Sequence, residues 1–355
     1  MHSPPEQALQ TGRWVKWIGG ASNQDLAAIE DLAGLYTWAG VHCLDVAADP
    51  AVVAAARRGI AWACERGAAR PWLMVSLSDG GDPHFRKAWF DPSCCPADCP
   101  RPCARVCPAL AIAAEGVVAP RCYGCGRCLP ACPLGLIEGR QQVLEPAAVP
   151  ALLAALRPDA VELHTRLGRA APFAERLEQL RRSGVPLQRL AVSCGLEPAA
   201  GSGDASGSPR PARPEALAAE LWDRFRQLRC AGFRPLWQLD GRPMSGDVGG
   251  GTAHAAVRLL RRVAALAPPG PLQLAGGTNT RTLGLVERAA VPGVAGVAFG
   301  GVAHSLLQPL LLQAQAAGGR LIDDPELREQ GLAIARTLID PWLQRGAGEP
   351  AVFAR

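Results

Sequence analysis

The sequence predicts an α/β protein built as a (β/α)8 barrel, and three observations support this class. Short apolar runs alternate along the chain with alanine- and leucine-rich amphipathic stretches, the pattern of βα units around a parallel sheet. Eight such runs are present, and each is followed by a helical stretch. With the cysteine-rich segment 85–140 set aside, about 300 residues remain, which is enough for one barrel. A doubly wound open sheet is the alternative class.

The predicted elements follow one another in strict alternation. The strands are Trp14–Ile18, Cys43–Ala47, Trp72–Leu77, Ala160–His164, Leu187–Ser193, Leu236–Leu239, Leu272–Ala275 and Val294–Phe299. The helices are Asp25–Ala39, Pro50–Arg66, Pro146–Leu156, Pro172–Ser183, Pro214–Ala231, Thr252–Ala265, Thr280–Ala289 and a final helical region after Val302. The predicted domains are therefore a first barrel part at 1–84, an inserted module at 85–140, the rest of the barrel at 141–345 and a tail at 346–355. Gly195–Pro214 is rich in Gly, Ser and Pro and is predicted to be a mobile loop.

The stretch CYGCGRCLPACP, from Cys122 to Pro133, predicts an iron-sulfur centre. Its spacing is typical of bacterial ferredoxins, in which three thiolates bind one cubane cluster and the fourth, just before proline, reaches a second cluster. Gly124 and Gly126 allow the close backbone approach that N–H to sulfur bonds need. A zinc knuckle is the alternative, but it needs two cysteine pairs separated by a longer spacer.

A second cysteine run lies upstream, CCPADCPRPCARVCP, and it also ends in cysteine and proline. Between the two runs, PALAIAAEGVVAP predicts two short strands with a glycine turn, which is the connection of a two-cluster module. Each cluster of such a module takes three ligands from one run and one from the other. The sequence therefore predicts two [4Fe-4S] clusters, one held by Cys122, Cys125, Cys128 and Cys107, the other by Cys95, Cys99, Cys103 and Cys132.

The upstream run departs from the ferredoxin pattern in two ways. Its spacers have three residues instead of two, and either Cys94 or Cys95 can be its leading ligand. A single degenerate or solvent-labile cluster at this end is therefore the alternative.

Polar residues near the ends of the predicted strands share one parity, which in a barrel points inward. They predict a water-filled or ligand-filled barrel mouth, although strand-end caps and buried hydrogen-bonded groups would give the same pattern. The candidate catalytic residues are Lys16, Glu162, His164 and Asp240, with Glu162 and His164 able to pair as acid and base. The inward set is Lys16, Asp45, Ser76, Ser78, Glu162, His164, Ser193, Gln238, Asp240 and Gln273.

Glycine-rich loops follow the last three predicted strands. Barrels commonly hold a phosphate with backbone N–H groups in the last two of these loops. A phosphate-bearing cofactor is therefore predicted at Gly276, Gly277, Thr278, Asn279, Gly300 and Gly301, with Arg242, Ser245 and Asp247 added by the loop DGRPMSGDVGGGT. Glycine pairs are also ordinary turn residues, and the third loop can simply precede a helix cap at Thr252.

Composition and charge argue against several classes of protein. The chain has 48% hydrophobic residues and a net charge of +5, but its arginines are scattered, so no nucleic-acid-binding face is expected. The N-terminus lacks the apolar segment of a signal peptide, and no apolar run approaches the ~20 residues of a membrane span. Crowded cysteines suit a reducing compartment, so a cytoplasmic protein is expected. No Ser-His-Asp or Cys-His order is present, which argues against a hydrolase.

Several distinctive sequence segments are distributed along nearly the whole chain: GRWVKWIGGAS, CLDVAADP, RCYGCGRCLPACPLGLI, GRPMSGD and QLAGGTNTRT. In these segments the chain resembles the cyanobacterial light-dependent period (LdpA) family. The resemblance implies an iron-sulfur protein that carries redox information about light to the circadian clock and associates with clock proteins such as KaiA and the input kinase CikA. It also implies that the eight cysteines assigned above are the cluster ligands.

Three functions follow as hypotheses. The first is a redox sensor whose clusters report the electron-transport state to partners. The second is an iron-sulfur oxidoreductase that passes electrons to a phosphate-bearing cofactor or quinone in the barrel mouth. In the third, the barrel is a relic fold that carries only a binding surface.

Overall fold

The computed structural model describes residues 4–81, 85–122, 124–141, 144–195, 213–241 and 251–346. Its centre is a closed barrel of eight strands, and every neighbouring pair is parallel. The barrel prediction is confirmed, and the open sheet is excluded because the last strand pairs with the first. Numbered along the chain, the barrel strands are β1 (Trp14–Gly20), β2 (Cys43–Ala47), β3 (Trp72–Ser78), β8 (Ala160–His164), β9 (Arg189–Cys194), β10 (Pro235–Asp240), β11 (Leu272–Ala275) and β12 (Val294–Phe299).

Helices surround the barrel, and most of their bounds lie within two residues of the predicted ones. Several begin at an aspartate that accepts backbone N–H groups; Asp49, for example, accepts from Ala51 and Val52. The helices are α1 (Pro4–Thr11), α2 (Leu26–Ala39), α3 (Pro50–Cys64), α6 (Val149–Leu156, after a 3-10 turn), α7 (Ala170–Arg182), α8 (Pro214–Cys230), α9 (Ala253–Val263), α10 (Thr282–Ala289), α11 (Gly301–Ala316) and α12 (Pro325–Leu343).

Two features differ from the prediction. The final helical region is two helices, because α11 ends just before Gly318, whose φ of 73° lies in the left-handed region that glycine favours. Helix α1 was not predicted; it lies under the N-terminal ends of the strands, where Leu9 joins an apolar cluster with Trp14 and Leu236. Most of the predicted loop Gly195–Pro214, the loop that carries Arg242, Ser245 and Asp247, and almost all of the predicted tail lie outside the described residues.

The cysteine-rich segment is inserted between β3 and β8. Its first strand, β4 (Arg86–Trp89), pairs antiparallel with its last strand, β7 (Glu138–Gln141). Between them lie the four-residue helices α4 (Pro102–Arg105) and α5 (Cys128–Ala131) and a small antiparallel pair, β5 (Ile112–Ala113) with β6 (Gly116–Val117). The pair β5 and β6 corresponds to the two short strands that the sequence predicts between the cysteine runs.

Candidate metal centre and barrel interior

The downstream cysteine run lines one cavity of the inserted segment. Cys122, Cys125 and Cys128 line this cavity, and Cys107 of the upstream run completes its wall. These are the four cysteines that the sequence assigns to one cluster. In the described part of the chain, no group of three Cys, His, Asp or Glu side chains has the geometry of a single-ion site. The thiols of Cys107, Cys122, Cys125 and Cys128 instead surround a common cavity.

A second cavity is lined by the other four assigned cysteines: Cys95, Cys99, Cys103 and Cys132. Apolar side chains close it, among them Phe90 and Ile137. Cys94 is exposed and does not line this cavity. It ends the 3-10 turn Pro92–Cys94, and the chain then extends at Cys95. Of the two adjacent cysteines, Cys95 is therefore the one on the cavity wall.

Backbone N–H groups approach the sulfurs of both cavities. The N–H of Ala88 donates to Cys122 Sγ at 3.3 Å, and the N–H of Ala111 donates to Cys107 Sγ at 3.2 Å. Burial raises the pKa of the Cys132 thiol, but four backbone N–H groups outweigh this effect and hold its pKa below the usual value. These donors belong to Leu136, Leu134, Ile137 and Gly135. Such donors suit a sulfur that carries negative charge, as a cluster ligand does.

The glycines between the downstream cysteines are required by the backbone. Gly124 and Gly126 have φ values of 75° and 72°, which other residues adopt only with strain. A Cβ atom on Gly126 would also lie 2.0 Å from Nη2 of Arg86. Both observations agree with the sequence argument that these glycines permit the close turn around the sulfurs.

Burial acts strongly on the downstream thiols. It raises the pKa of Cys125 to about 11 and, together with the neighbouring cysteines, raises the pKa of Cys128 to about 12. Without a bound cation both groups are therefore neutral thiols at physiological pH. The residues fit an iron-sulfur cluster because its iron supplies the positive charge that keeps buried thiolates ionised.

Two cations connect this half of the module to the barrel. Lys87 Nζ donates to Gln24 Oε1 at 2.7 Å and to the carbonyl of Ala119 at 2.7 Å. Arg121, next to Cys122, lies 3.5 Å from Asp25 and donates to Gln315 Oε1 at 2.9 Å. Asp25 accepts the N–H of Ala28 at the start of α2, and Gln315 lies in α11. The surroundings of Cys122 are therefore tied to two barrel helices.

The predicted inward residues form a buried hydrogen-bonded layer across the barrel. Lys16 Nζ contacts Asp45 at 3.0 Å and also Glu162. Gln238 donates to Glu162 Oε1 at 2.6 Å, and Gln273 donates to Gln238 Oε1 at 2.6 Å. These side chains satisfy one another, so their polarity is explained by buried hydrogen bonds without a ligand.

The charges in this layer act on one another. Burial alone would lower the pKa of Lys16, but the carboxylates of Asp45 and Glu162 outweigh it and raise that pKa above its usual value. Burial raises the pKa of Asp45 to about 6, against the attraction of Lys16. Burial also acts to raise the pKa of Glu162, but Lys16 and His164 hold it well below its usual range. The layer therefore retains a Lys16–Glu162 ion pair at neutral pH.

The remaining candidates lie one layer nearer the C-terminal ends of the strands. His164 Nε2 lies 3.0 Å from Glu162 Oε1, so the pair proposed as acid and base is brought together. Ser193 donates to Asp240, and Ser76 in the layer below donates to Asp45 at 2.8 Å. The ring of Phe85, at the start of the insertion, packs edge-on against His164 at 5.3 Å.

The predicted phosphate loops bind each other through their polar side chains. Thr252 donates to the carbonyl of Gly277 at 2.6 Å, and Thr278 donates to the carbonyl of Ala298 at 2.5 Å. Asn279 accepts the N–H of Arg281 at 2.9 Å, just before α10. Gly300 and Gly301 begin α11. These bonds join the loops, and phosphate binding at these residues stays a prediction.

Sequence reasoning missed Lys87, Arg121 and a buried arginine, Arg224, in α8. Arg121 directly precedes Cys122 and differs in no visible way from the other arginines of the chain. Lys87 is one of only two lysines in the chain, but it lies outside the cysteine runs, so no motif singles it out. Arg224 lies within an amphipathic stretch that includes other arginines, so no pattern distinguishes it. Only tertiary packing shows which of these charges is buried.

Two family models match the chain. The light dependent period A C-terminal domain matches residues 152–341, and the LdpA Fe-S cluster-binding domain matches residues 95–143. The chain is also 46% identical over 352 residues to "Light dependent period A" of Synechococcus elongatus, which covers 97% of this chain and 95% of that protein. An iron-sulfur cofactor is therefore a property of this protein.

Solved structures resemble the chain more distantly. (S)-3-O-geranylgeranylglyceryl phosphate synthase from Thermoplasma acidophilum is 12% identical, with a TM-score of 0.43, over 96% of this chain and 100% of that one. Tryptophan synthase subunit alpha from Legionella pneumophila is 9% identical, with a TM-score of 0.39, over 97% and 99%. At these scores neither likeness bears on activity. Among the described residues, no helix combines the length and apolar character of a membrane span.

Proposed function

The chain belongs to the light dependent period A family, and from this premise we propose that it is a redox sensor that relays the cell's light-dependent redox state to the circadian clock. Two [4Fe-4S] clusters would be the sensing groups. The observation that carries this proposal is the pair of cavities, each lined by four cysteines drawn from both runs. That division matches the ligand sharing of a two-cluster ferredoxin module.

Each cavity has its own set of proposed ligands. Cys107, Cys122, Cys125 and Cys128 would hold one cluster, and Cys95, Cys99, Cys103 and Cys132 would hold the other. When bound, such a cluster supplies a one-electron change of charge at its site. The N–H donors to Cys107, Cys122 and Cys132 stabilise negative charge on the sulfurs and so favour the reduced state.

The chain's own residues supply a connection from the downstream cavity to the barrel. Arg121 and Lys87 are cations beside Cys122, and they hold Asp25, Gln24 and Gln315. A change of charge near Cys122 changes the electrostatic balance of these bonds. Helices α2 and α11 would then present a different surface to a partner. Family resemblance points to KaiA and CikA as such partners in the cytoplasm.

The proposal is tested by anaerobic purification with iron and acid-labile sulfide counts, and by electron paramagnetic resonance before and after dithionite. We expect about eight iron and eight sulfide per chain, with coupled signals on reduction, as two cubane clusters require. About four iron would limit the proposal to one cluster. Zinc without sulfide would overturn it.

Adjacent cysteines provide a matched pair of variants for the upstream cavity. Cys95→Ser removes a proposed ligand, whereas Cys94→Ser changes the exposed neighbour. We expect Cys95→Ser to lower the iron content by up to four atoms per chain and Cys94→Ser to leave it unchanged. Equal losses in both variants would show that the leading ligand is wrongly assigned.

The oxidoreductase alternative has one observation in its favour. Phe85 packs against His164, so the Glu162–His164 pair of the barrel adjoins the start of the inserted module. A flavin bound in the barrel would show as yellow absorbance that survives removal of the clusters. If neither a flavin nor substrate-dependent oxidation of the clusters is found, the oxidoreductase alternative is excluded and the sensor proposal remains.

A further inference from the structure

A third cavity lies away from the cysteines, on the outer side of the barrel. It lies between the C-terminal ends of β8 and β9 and helix α8 and is partly open to solvent. Val192 of β9 and Leu221 of α8 form its apolar wall, and Thr165, Arg166, Glu220 and Arg224 form its polar wall. The loops predicted to bind phosphate follow other strands, so this cavity is a separate site.

Arg224 is the central feature of this cavity. Its side chain is fully buried, yet neither Nε nor Nη1 has a hydrogen-bond acceptor among the residues that the structure describes. Nη2 contacts Glu220 and donates weakly to the carbonyl of Arg166 at 3.4 Å. The guanidinium also lies over the ring of Phe173, 4.4 Å from its centroid, which fixes its position. Two buried donors without acceptors are unfavourable, so the arrangement favours a bound acceptor.

Arginine side chains form most of the charged part of the cavity wall. Arg166 and Arg224 contribute two positive charges to its wall, and Glu220 contributes one negative charge. The nearby carboxylates already have partners. Asp79 accepts from Arg169 at 2.9 Å and from Thr165, and Asp223 accepts from Arg226 and Gln227. Among the described residues, Glu220 is the one carboxylate that lines the cavity beside Arg224.

We propose that this cavity binds the oxyanion group of a small molecule, a phosphate or a carboxylate, through Arg224. Guanidinium groups form short, charge-assisted hydrogen bonds to both kinds of oxyanion. The rim residues Thr165, Arg166 and Glu220 are partly exposed, so a ligand can reach the cavity from solvent. The apolar wall at Val192 and Leu221 then contacts the rest of the ligand. This site is independent of the clusters and of the proposed redox sensing.

The proposal is tested by isothermal titration of the full-length, cluster-loaded protein with inorganic phosphate and, separately, with acetate. We expect saturable binding of one of these anions at one site per chain, and the anion that binds more tightly identifies the chemistry. Arg224→Met should weaken binding at least tenfold, because a charge-assisted hydrogen bond is lost. The matched control is Arg226→Met, two residues along α8 and exposed, which should change binding less than twofold.

A second variant acts in the opposite direction and does not depend on how well Arg224→Met folds. Glu220→Gln removes the carboxylate that competes for Arg224 and should strengthen anion binding several-fold. General destabilisation cannot produce such an increase. No saturable binding of either anion, or equal binding by the wild type and Glu220→Gln, would overturn the proposal.

Discussion

At the residue scale, the interior of the barrel depends on one lysine. Lys16 is fully buried, and it is the cation that both Asp45 and Glu162 contact. A buried ion pair adds little net stability, but removing one partner leaves an uncompensated charge in a medium of low dielectric constant. The layer is therefore sensitive to the loss of Lys16 and much less sensitive to neutral exchanges at its edges.

Lys16→Met keeps the length of the side chain but leaves Asp45 without a cation and Glu162 with His164 as its remaining positive partner. We expect a loss of about 3–5 kcal/mol in the free energy of unfolding at pH 8. Without Lys16 the pKa of Asp45, which burial already raises, rises further above that of the unfolded chain, so the native state binds more protons. Stability then falls as the pH rises through that interval. Urea unfolding at pH 5.5 and pH 8 should show a smaller loss at the lower pH.

The double variant Lys16→Met, Glu162→Gln serves as the control for this interpretation. It removes one of the stranded carboxylates and should recover part of the stability lost at pH 8. A loss that is the same at both pH values, or no recovery in the double variant, would mean that packing and not charge explains the effect.

Single residues also show where sequence reasoning reaches its limit. The cysteine spacing alone groups Cys107 with the downstream run, and in the structure Cys107 lines the same cavity as the cysteines of that run. The choice between Cys94 and Cys95 was open, because neither gives the two-residue spacer of the ferredoxin pattern, and their orientation separates them in the structure. The inward parity of Lys16 and Glu162 was visible in the sequence. Their contact was not, because it joins strands β1 and β8 across the barrel.

At the scale of elements, the barrel strands were predictable and helix α1 was not. Each strand is a short apolar run that is followed by an amphipathic helical stretch. The prediction of each strand therefore strengthens the prediction of the helix after it. PPEQALQT has only two strongly buried apolar positions beyond its prolines, Ala8 and Leu9, and shows no clear helical period. Its place is fixed by tertiary contacts instead: Glu6 binds Arg189 and Arg234 at the start of β9 and β10.

Helix α1 should therefore stabilise the barrel at the N-terminal ends of its strands. Leu9 is 1% exposed and packs with the apolar cluster at the N-terminal ends of the strands. We expect Leu9→Ala to cost about 2–5 kcal/mol, as is typical for a buried leucine whose cavity collapses only partly. Gln10→Ala, next to it and exposed, should change the stability by less than about 0.5 kcal/mol. Equal urea midpoints for the two variants would show that α1 is not part of the cooperative unit.

At the scale of the whole molecule, the insertion and the barrel are connected on one side of the barrel mouth. The chain leaves the barrel after β3 and returns before β8, and strands β4 and β7 pair across this junction. Beyond the junction, the N–H of Gln24 donates to the carbonyl of Pro120 at 2.9 Å, and Arg121 reaches Asp25 and Gln315. The downstream cavity is thus linked to the barrel by contacts that the cysteine motif does not require.

These contacts make a prediction about signalling that is separate from cluster binding. If charge near Cys122 is passed to the barrel through Arg121, reduction with dithionite should change amide hydrogen exchange at the start of α2, around residues 23–32. Arg121→Ala should reduce that change by at least half without altering the iron content, because Arg121 lines neither cysteine cavity. Arg105→Ala, an exposed arginine of the same module, is the matched control and should retain the full change. If Arg121→Ala behaves like this control, the barrel must receive the redox signal by another route, and Lys87, which holds Gln24, is the next residue to replace.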